Sequence, residues 1–383
     1  MQKSGLETLR RMARLFLAII LPVALTHTAS AAQRDLGFGH FVHTELEAKN
    51  GLPAQANSIV QTPDGYLWFG TPDGLFRYNG QTFERIPVLR HGAFTDAAII
   101  EAIVTRRGEM WLGAGQNAGV LVLRNGRLQQ TGMTTPPPQI THLVEGKDGS
   151  IWAASSGRKD RLFRHMAGKW QRMDLPLALP AGAIADMEVD RRGTIWILLA
   201  SASGGQLAFL RQGSARFETA ADRVGLGRMT LDPNGGLWVS DNFGTRMVRD
   251  SSGARPLAQI AYPPVANIGF PKIKFDSRGN IWGSSLSGGI FLISGAGKAE
   301  NSGKKPLALS YDDRIGTLPT LDVFPDREGN VWISSSESLH RFHPANAVPV
   351  SSIQSHPRSP QRLAVATDGS IYLFSLGSLC RIE

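Results

Sequence analysis

Beyond residue 32 the hydrophobic and polar positions alternate in short runs, and the runs recur at a near-constant spacing. Tryptophans stand at 68, 111, 152, 196, 238, 282 and 332, separated by 43, 41, 44, 42, 44 and 50 residues. Tyr372 follows Trp332 after forty residues. The contexts agree: DGYLWFG (64–70), RGEMWLG (107–113), DGSIWAA (148–154), RGTIWIL (192–198), NGGLWVS (234–240), RGNIWGS (278–284), EGNVWIS (328–334) and DGSIYLF (368–374). Each is a Gly turn, an apolar residue and an aromatic. The eighth tryptophan, Trp170, lies outside this setting. Two-residue alternation rich in β-branched and aromatic side chains predicts strands, and the Gly positions suit tight hairpin turns. No amphipathic helix of useful length follows residue 32.

Each unit reads as four strands. An inner strand comes first, as at Ser58 to Gln61, Ile140 to Glu145 or Leu363 to Ala366. The Trp strand follows the turn. A third strand ends in Arg or another polar residue, as in GLFRY (74–78), RLFRH (161–165) and LHRF (339–342). A fourth is expected at Thr82 to Ile86 and Lys169 to Met173. A four-stranded unit of roughly 40–45 residues, repeated, is the signature of a β-propeller blade. The recurring Trp is then a core residue between blades, favoured over a row of sugar-stacking aromatics.

The fold class is therefore all-β, a β-propeller of four-stranded blades in eight repeats spanning residues 32–383. The eighth repeat ends at LCRIE with three strands. Residues 39–46 (GHFVHTEL) form a strand-like segment without a repeat of their own. An N-terminal strand that completes the last blade removes exposed edges. The favoured reading is an eight-bladed ring in which Phe41 and Val42 lie beside Cys380. The alternative is seven blades closed by residues 39–46, with the eighth unit left over as part of something longer.

Sequence variation between repeats is uneven. Turns between strands one and two are uniform, whereas loops between strands two and three, and loops between blades, differ. Both variable sets fall on one face of a propeller, around the channel, where binding concentrates. The candidate ligand contacts there are Arg90, His91, Asp96, Asn117, Arg158, Asp241, Asn242, Arg246, Tyr262, Tyr311, Asp313 and Arg314, with Phe94 and Asp312 nearby. Arg suits carboxylate or sulfate groups, and aromatic rings suit flat or sugar faces. Asp241, Asp312 and Asp313 lack the spacing of a calcium loop, so neither metal nor cofactor is expected. Residues 294–305 (SGAGKAENSGKK) read as a flexible insertion in the outer part of a blade and explain the 50-residue gap.

Composition places the chain among ordinary globular proteins, with 42% hydrophobic and 19% charged residues. A single cysteine, Cys380, excludes an intrachain disulfide. Lys3, Arg10, Arg11 and Arg14, the apolar run Leu15 to Leu25 and Ala29-Ser30-Ala31 read as a cleavable signal peptide over residues 1–31. The exported chain should begin near Ala32 or Gln33 in the periplasm. Its net charge is then +6 rather than +9, since the leader holds four basic groups and one acid. The remaining basic residues are scattered at strand ends, so a nucleic-acid partner is not expected.

GLPAQANSIVQTPDGYLWFGTPDGLFRYNGQTF, residues 51–83, closely resembles the two-component regulator propeller repeat. The leader GLP with SIVQ, the DGYLWFGT run and the GLFRYNG run carry the likeness. It is sharp in the first copy and weaker later, since Ile197-Leu198, Val239-Ser240 and Gly283-Ser284 replace the Gly-Thr after the Trp strand. The resemblance implies a periplasmic ligand-sensing propeller of a two-component-type system. It implies a small-molecule or oligosaccharide ligand and a membrane-bound sensor kinase or cyclase as partner. No kinase or cyclase motif is present in these residues, so the reading is non-catalytic, with a truncated sensor kinase as one form of it. The alternative is a propeller lyase acting on a cyclic peptide or sugar-like substrate. Among the histidines only His142, on an inner strand, stands where a general base would be needed. His340 and His343 fall on a third strand, away from the channel.

Overall fold

A computed structural model of the chain describes residues 37–46, 51, 55–90, 93–95, 97–157, 161–201, 204–221, 224–248, 272–284, 289–297, 309–312, 315, 319–345, 362–366, 371–375 and 378–382. The expected leader lies outside these residues. Apart from one short 3-10 turn, Phe38–His40, the described elements are strands. Among the described residues no helix is long and apolar enough to cross a membrane.

The repeats fold as expected. The first blade pairs Ser58–Gln61, Leu67–Thr71, Gly74–Tyr78 and Phe83–Ile86 in that order. Equivalent sheets begin at Ile99–Val104, Ile140–Glu145, Ala183–Val189, Gly227–Leu231, Ile273–Phe275 and Thr320–Pro325, the inner strands of blades two to seven. All strand pairs within these seven repeats are antiparallel. A small hairpin, Val88–Arg90 and Ala93–Thr95, extends the outer edge of blade two through a parallel pairing of Val88 with Leu128.

Each turn between the first two strands is clamped in the same way. Gly65, Gly108, Gly149, Gly193, Gly235, Gly279 and Gly329 all have φ between 80° and 94°, the left-handed region that favours Gly. Six residues before the Trp, an acceptor ties the turn to the indole. Trp196, Trp238, Trp282 and Trp332 donate Nε1–H to Asp190, Asp232, Asp276 and Asp326 at 2.8–3.1 Å. The other oxygen of each Asp accepts backbone N–H groups of the turn, as with Asn234 and Gly236 on Asp232. Blade one substitutes Thr62 at that position, whereas in blade three it is Gly146 and the indole N–H goes instead to Ser150, two residues before the Trp. In blade two Thr105 accepts the Glu109 N–H, and the buried Trp111 Nε1 has no partner.

The seam between blades shows the ring size. Seven hydrophobic clusters each contain one repeat Trp and join one blade to the next. Trp68 joins blades one and two, and so on round to Trp332, which packs with Ile59, Leu67 and Phe69 of blade one. The Gly after the Trp strand's hydrophobic pair is a packing requirement at two of these seams. A Cβ on Gly70 or Gly113 would lie 2.6 or 2.7 Å from the next blade's Ile99 or Ile140 side chain. Polar bonds also close the last seam: the Ile59 N–H donates to Asp322 Oδ2 at 2.7 Å, and the Ala56 N–H to Ser334 Oγ at 3.0 Å.

The ring therefore has seven blades, which corrects the favoured eight. The strand Phe41–Leu46 does close it from the N-terminal side, but on the seventh blade, against Leu339–Pro344. Val42 opposes His343, not Cys380. The physical reason is packing at the end of the strand: Phe38 and Phe41 meet Trp282 edge-on at ring centroid distances of 5.5 and 4.8 Å. Leu46 enters the cluster between blades seven and one. The eighth repeat forms a separate three-stranded sheet, Arg362–Val365, Ile371–Ser375 and Ser378–Ile382.

A loop reading changes as well. Leu309–Asp312, expected in a loop between blades, is the outermost strand of blade six. The insertion expected at 294–305 precedes that strand, and most of it lies outside the described residues. His340 and His343 lie on the third strand of blade seven, as expected. His340 bonds His43 of the closing strand at 3.0 Å and is buried.

Opposed residues on antiparallel strands hold their Cα atoms within the range a disulfide needs. In a Cys380→Ser background, the double substitution Val42→Cys and His343→Cys should form a disulfide on oxidation, read as a mobility shift after denaturation. Val42→Cys with native Cys380 should not. The reverse pattern would restore the eight-bladed closure.

Candidate ligand-binding cavity in the central channel

The inner strands surround a cavity of about 370 Å³. Its chemistry follows from one sequence position. Ten residues before each repeat Trp stand Ser58, Glu101, His142, Asp186, Arg228, Lys272 and Asp322. All seven line the cavity. The register explains why. Val60, Ile103, Val144, Glu188, Thr230, Lys274 and Phe324 lie directly opposite the Trp residues. The ring position is two residues earlier, toward the end where the loops between blades enter. In four blades a register irregularity sits immediately before it, between Ile99 and Glu101, Ile140 and His142, Ile184 and Asp186, and Thr320 and Asp322. A bulge of this kind re-aims the side chain that follows it.

Part of this ring is structural. Asp186 accepts the N–H of Met187 at 2.9 Å and that of Met229 on the next blade at 2.6 Å. Asp322 does the same with Val323 and with Ile59 across the closing seam. Ser58 Oγ accepts the Ala102 N–H at 3.0 Å. Ion pairs join inner strands of different blades: Lys272 to Asp322 of the next blade at 3.2 Å and Lys274 to Glu188 two blades away at 3.4 Å. Lys272 also donates to the Asn57 carbonyl at 3.1 Å.

The electrostatics are uneven. Burial pushes the Glu101 carboxyl up to about 7, opposed by Lys272 and reinforced by Asp322. Burial likewise raises Glu188, against the pull of Lys274. Glu188 in turn is the main cause holding Lys274 above the ordinary lysine value. Burial lowers His142 to about 4, although Asp186 Oδ1 stands 3.8 Å from its Nε2 and favours the charged form. His142 is thus neutral and a weak base at neutral pH. Among the described residues no group of three or more His, Cys, Asp and Glu side chains is placed to hold a metal ion.

The loop residues named from the sequence fare differently. Asp241 and Arg246 lie not in a loop but on the strands Leu237–Asp241 and Gly244–Met247, where they form a two-point ion pair at 2.8 and 3.0 Å. Asp241 also accepts the N–H groups of Gly225 and Phe243, so it braces the loop. Asn242 and Asn117 are exposed, and Asn117 has φ of 57°. Arg90 lies in the hairpin on blade two's outer edge and Tyr311 on blade six's outermost strand, as does Asp312. Phe94 lies in the same hairpin as Arg90. His91, Asp96, Arg158, Tyr262, Asp313 and Arg314 lie outside the described residues. The sequence reading searched the loops and passed over the polar ring, except for His142. The signal was present as one polar residue at a constant distance from every Trp.

Comparison with known proteins adds the following. Residues 50–73 match the family described as two component regulator propeller. No curated protein matches the sequence. The extracellular domain assigned to the hybrid two component system BT3049 of B. thetaiotaomicron superposes with a TM-score of 0.63 at 16% identity, covering 90% of this chain and 49% of that one. The extracellular domain assigned to the one component system BT4673 of the same organism gives 0.61 at 17%, covering 89% and 46%. This chain thus spans about half the length of those domains. Virginiamycin B lyase from Staphylococcus aureus gives 0.62 at 14%, covering 79% of this chain and 99% of the lyase. At these identities the likeness establishes the propeller fold.

The Glu101 shift has a consequence for stability. Its folded-state value lies above the unfolded one, so its contribution is intact below about pH 4.5 and is lost as pH rises toward 7. Glu101→Gln removes that loss. The variant should unfold at higher denaturant concentration than wild type at pH 8, with the difference shrinking toward pH 4. A constant difference across this range would contradict the burial of a charged Glu101.

Proposed function

We propose that this chain, whose ring opens with a two component regulator propeller repeat, is a non-catalytic sensor-type propeller that binds a ligand at the loop-bearing mouth of its channel. The observation that carries the reading is the polar ring: seven blades each commit their W-minus-ten position to a polar side chain in a cavity of ligand size. Core packing alone favours apolar residues there, because burying polar groups costs free energy unless they are matched. Support for the signalling context comes from the match at residues 50–73 and from the extracellular two-component domains that share the fold. The setting that fits is the periplasm, with a small-molecule or oligosaccharide ligand and a membrane-bound kinase or cyclase carrying the output. Of the candidate loop contacts, Asn117 and Asn242 are described and exposed. Arg90, His91, Asp96, Arg158, Tyr262, Tyr311, Asp313 and Arg314 remain candidates to be tested by substitution.

A second reading, a lyase, is favoured by one observation. His142 lines the cavity, and lyase propellers share the fold. Against it, a base held at about 4 is a poor match to proton abstraction at neutral pH. Incubation with quinupristin, a compound bound by an inactive variant of the lyase propeller, separates the two. The sensor reading expects quinupristin to be recovered intact by chromatography. Ring opening that His142→Ala abolishes would establish the lyase instead.

A further inference from the structure

The charges lining the cavity are almost all matched. Asp186 and Asp322 each accept two backbone N–H groups, and Asp322 also accepts Lys272. Glu188 holds Lys274, and Glu145 holds Arg106 at 3.2 Å. Two groups break the pattern. Among the described residues Glu101 makes one hydrogen bond, from the Ser58 hydroxyl at the long distance of 3.4 Å, and no ion pair, although the charges of Lys272 and Lys274 act on it. Arg228 donates Nη1 to the carbonyl oxygens of Ala185 and Gly227, and among the described residues it has no carboxylate partner and its buried Nε no acceptor.

These two groups, neither held in an ion pair among the described residues, carry opposite charge and line the same cavity. Glu101 belongs to blade two and Arg228 to blade five. Three steps is the largest separation that a seven-membered ring allows. A buried charge without a partner is costly, and an oppositely charged ligand group offsets that cost. The cavity volume, about 370 Å³, accommodates an amino-acid-sized molecule with room for water.

We infer that the channel takes a small zwitterion, with its ammonium at Glu101 and its carboxylate at Arg228. The inference rests on the reading of the channel as the binding site and names the chemical class that it binds. It also fixes a pH dependence. The groups acting on Glu101 are Lys272 and Lys274, which favour its ionised form, and Asp322 and Asp186, which oppose it. His142, held at about 4, is silent near neutrality. Ionisation of Glu101 then strengthens binding as pH rises through about 7.

A series of ω-amino acids from glycine to 6-aminohexanoate serves as a ruler for the Glu101–Arg228 span, with butylamine and butanoate as singly charged controls. Isothermal titration of the full chain at pH 8 should show one favoured length. It should bind at least about tenfold more tightly than either control, as two charge-assisted contacts exceed one. Glu101→Gln and Arg228→Gln should each lower that affinity about tenfold or more, and binding should weaken at pH 6. Glu101→Asp, which keeps the charge and retracts it, should move the preferred length one methylene longer. No binding by any member, equal binding of butylamine, or full affinity in Glu101→Gln would overturn the proposal. Such a failure leaves a sensor for another ligand class standing, whereas quinupristin cleavage would remove the sensor reading and leave the titration result intact.

Discussion

The fold depends on the hydrogen bond that six of the seven repeat tryptophans donate to an acceptor in the preceding turn, six residues earlier in blades one and four to seven and two residues earlier in blade three. In blades four to seven that acceptor is an aspartate, which takes the indole N–H with one oxygen and turn N–H groups with the other. Asp232, Asp276 and Asp326 are almost fully buried, 4–7% exposed. A carboxylate removed from water to this degree must be saturated with donors, and the turn supplies them. The bond therefore does two things at once. It fixes the hairpin that joins the inner strand to the Trp strand, and it orients the indole against the neighbouring blade.

From that clamp the channel chemistry follows. The turn sets the register, the register sets which residue opposes the Trp, and the residue two before it enters the cavity. Function is thus written on positions that the core geometry leaves free. Asp186, Asp322 and Ser58 use this freedom to tie neighbouring blades together, and Asp322 does so across the seam where the ring closes. Glu101 and Arg228 occupy equivalent positions and also touch a neighbouring blade, but neither is held in an ion pair among the described residues. A rigid wall with a few unmatched polar groups is how a binding site is preorganised.

Much of this was legible in the sequence. The Trp spacing revealed the repeat, the two-residue alternation revealed the strands, and residues 39–46 were recognisable as a closing strand. The ring size was not legible, because eight repeats are present and an alternating segment such as FVHTEL suits the outer edge of any blade. The seam decides it, through Trp332 against Phe69 and Phe41 against Trp282. Leu309–Asp312 was taken for loop because the Gly- and Lys-rich insertion before it broke the spacing. The polar ring was missed for a different reason. Variation between repeats draws attention to loops, whereas here a varied residue recurs inside a regular strand. Asp241 and Arg246 show the converse, charges expected in a loop that fall on adjacent strands and pair with each other.

The claim that the indole clamp governs the stability of the ring is tested most directly at the one blade that lacks it. Trp111 Nε1 is buried without a partner, and Thr105 stands where four blades place an aspartate. Chemical denaturation of Thr105→Asp should show a gain of about 1 kcal/mol, and Asp276→Ala a loss of about 2–3 kcal/mol, from supplying or removing a buried acceptor. A Thr105→Asp variant less stable than wild type, together with an Asp276→Ala variant of unchanged stability, would contradict the account.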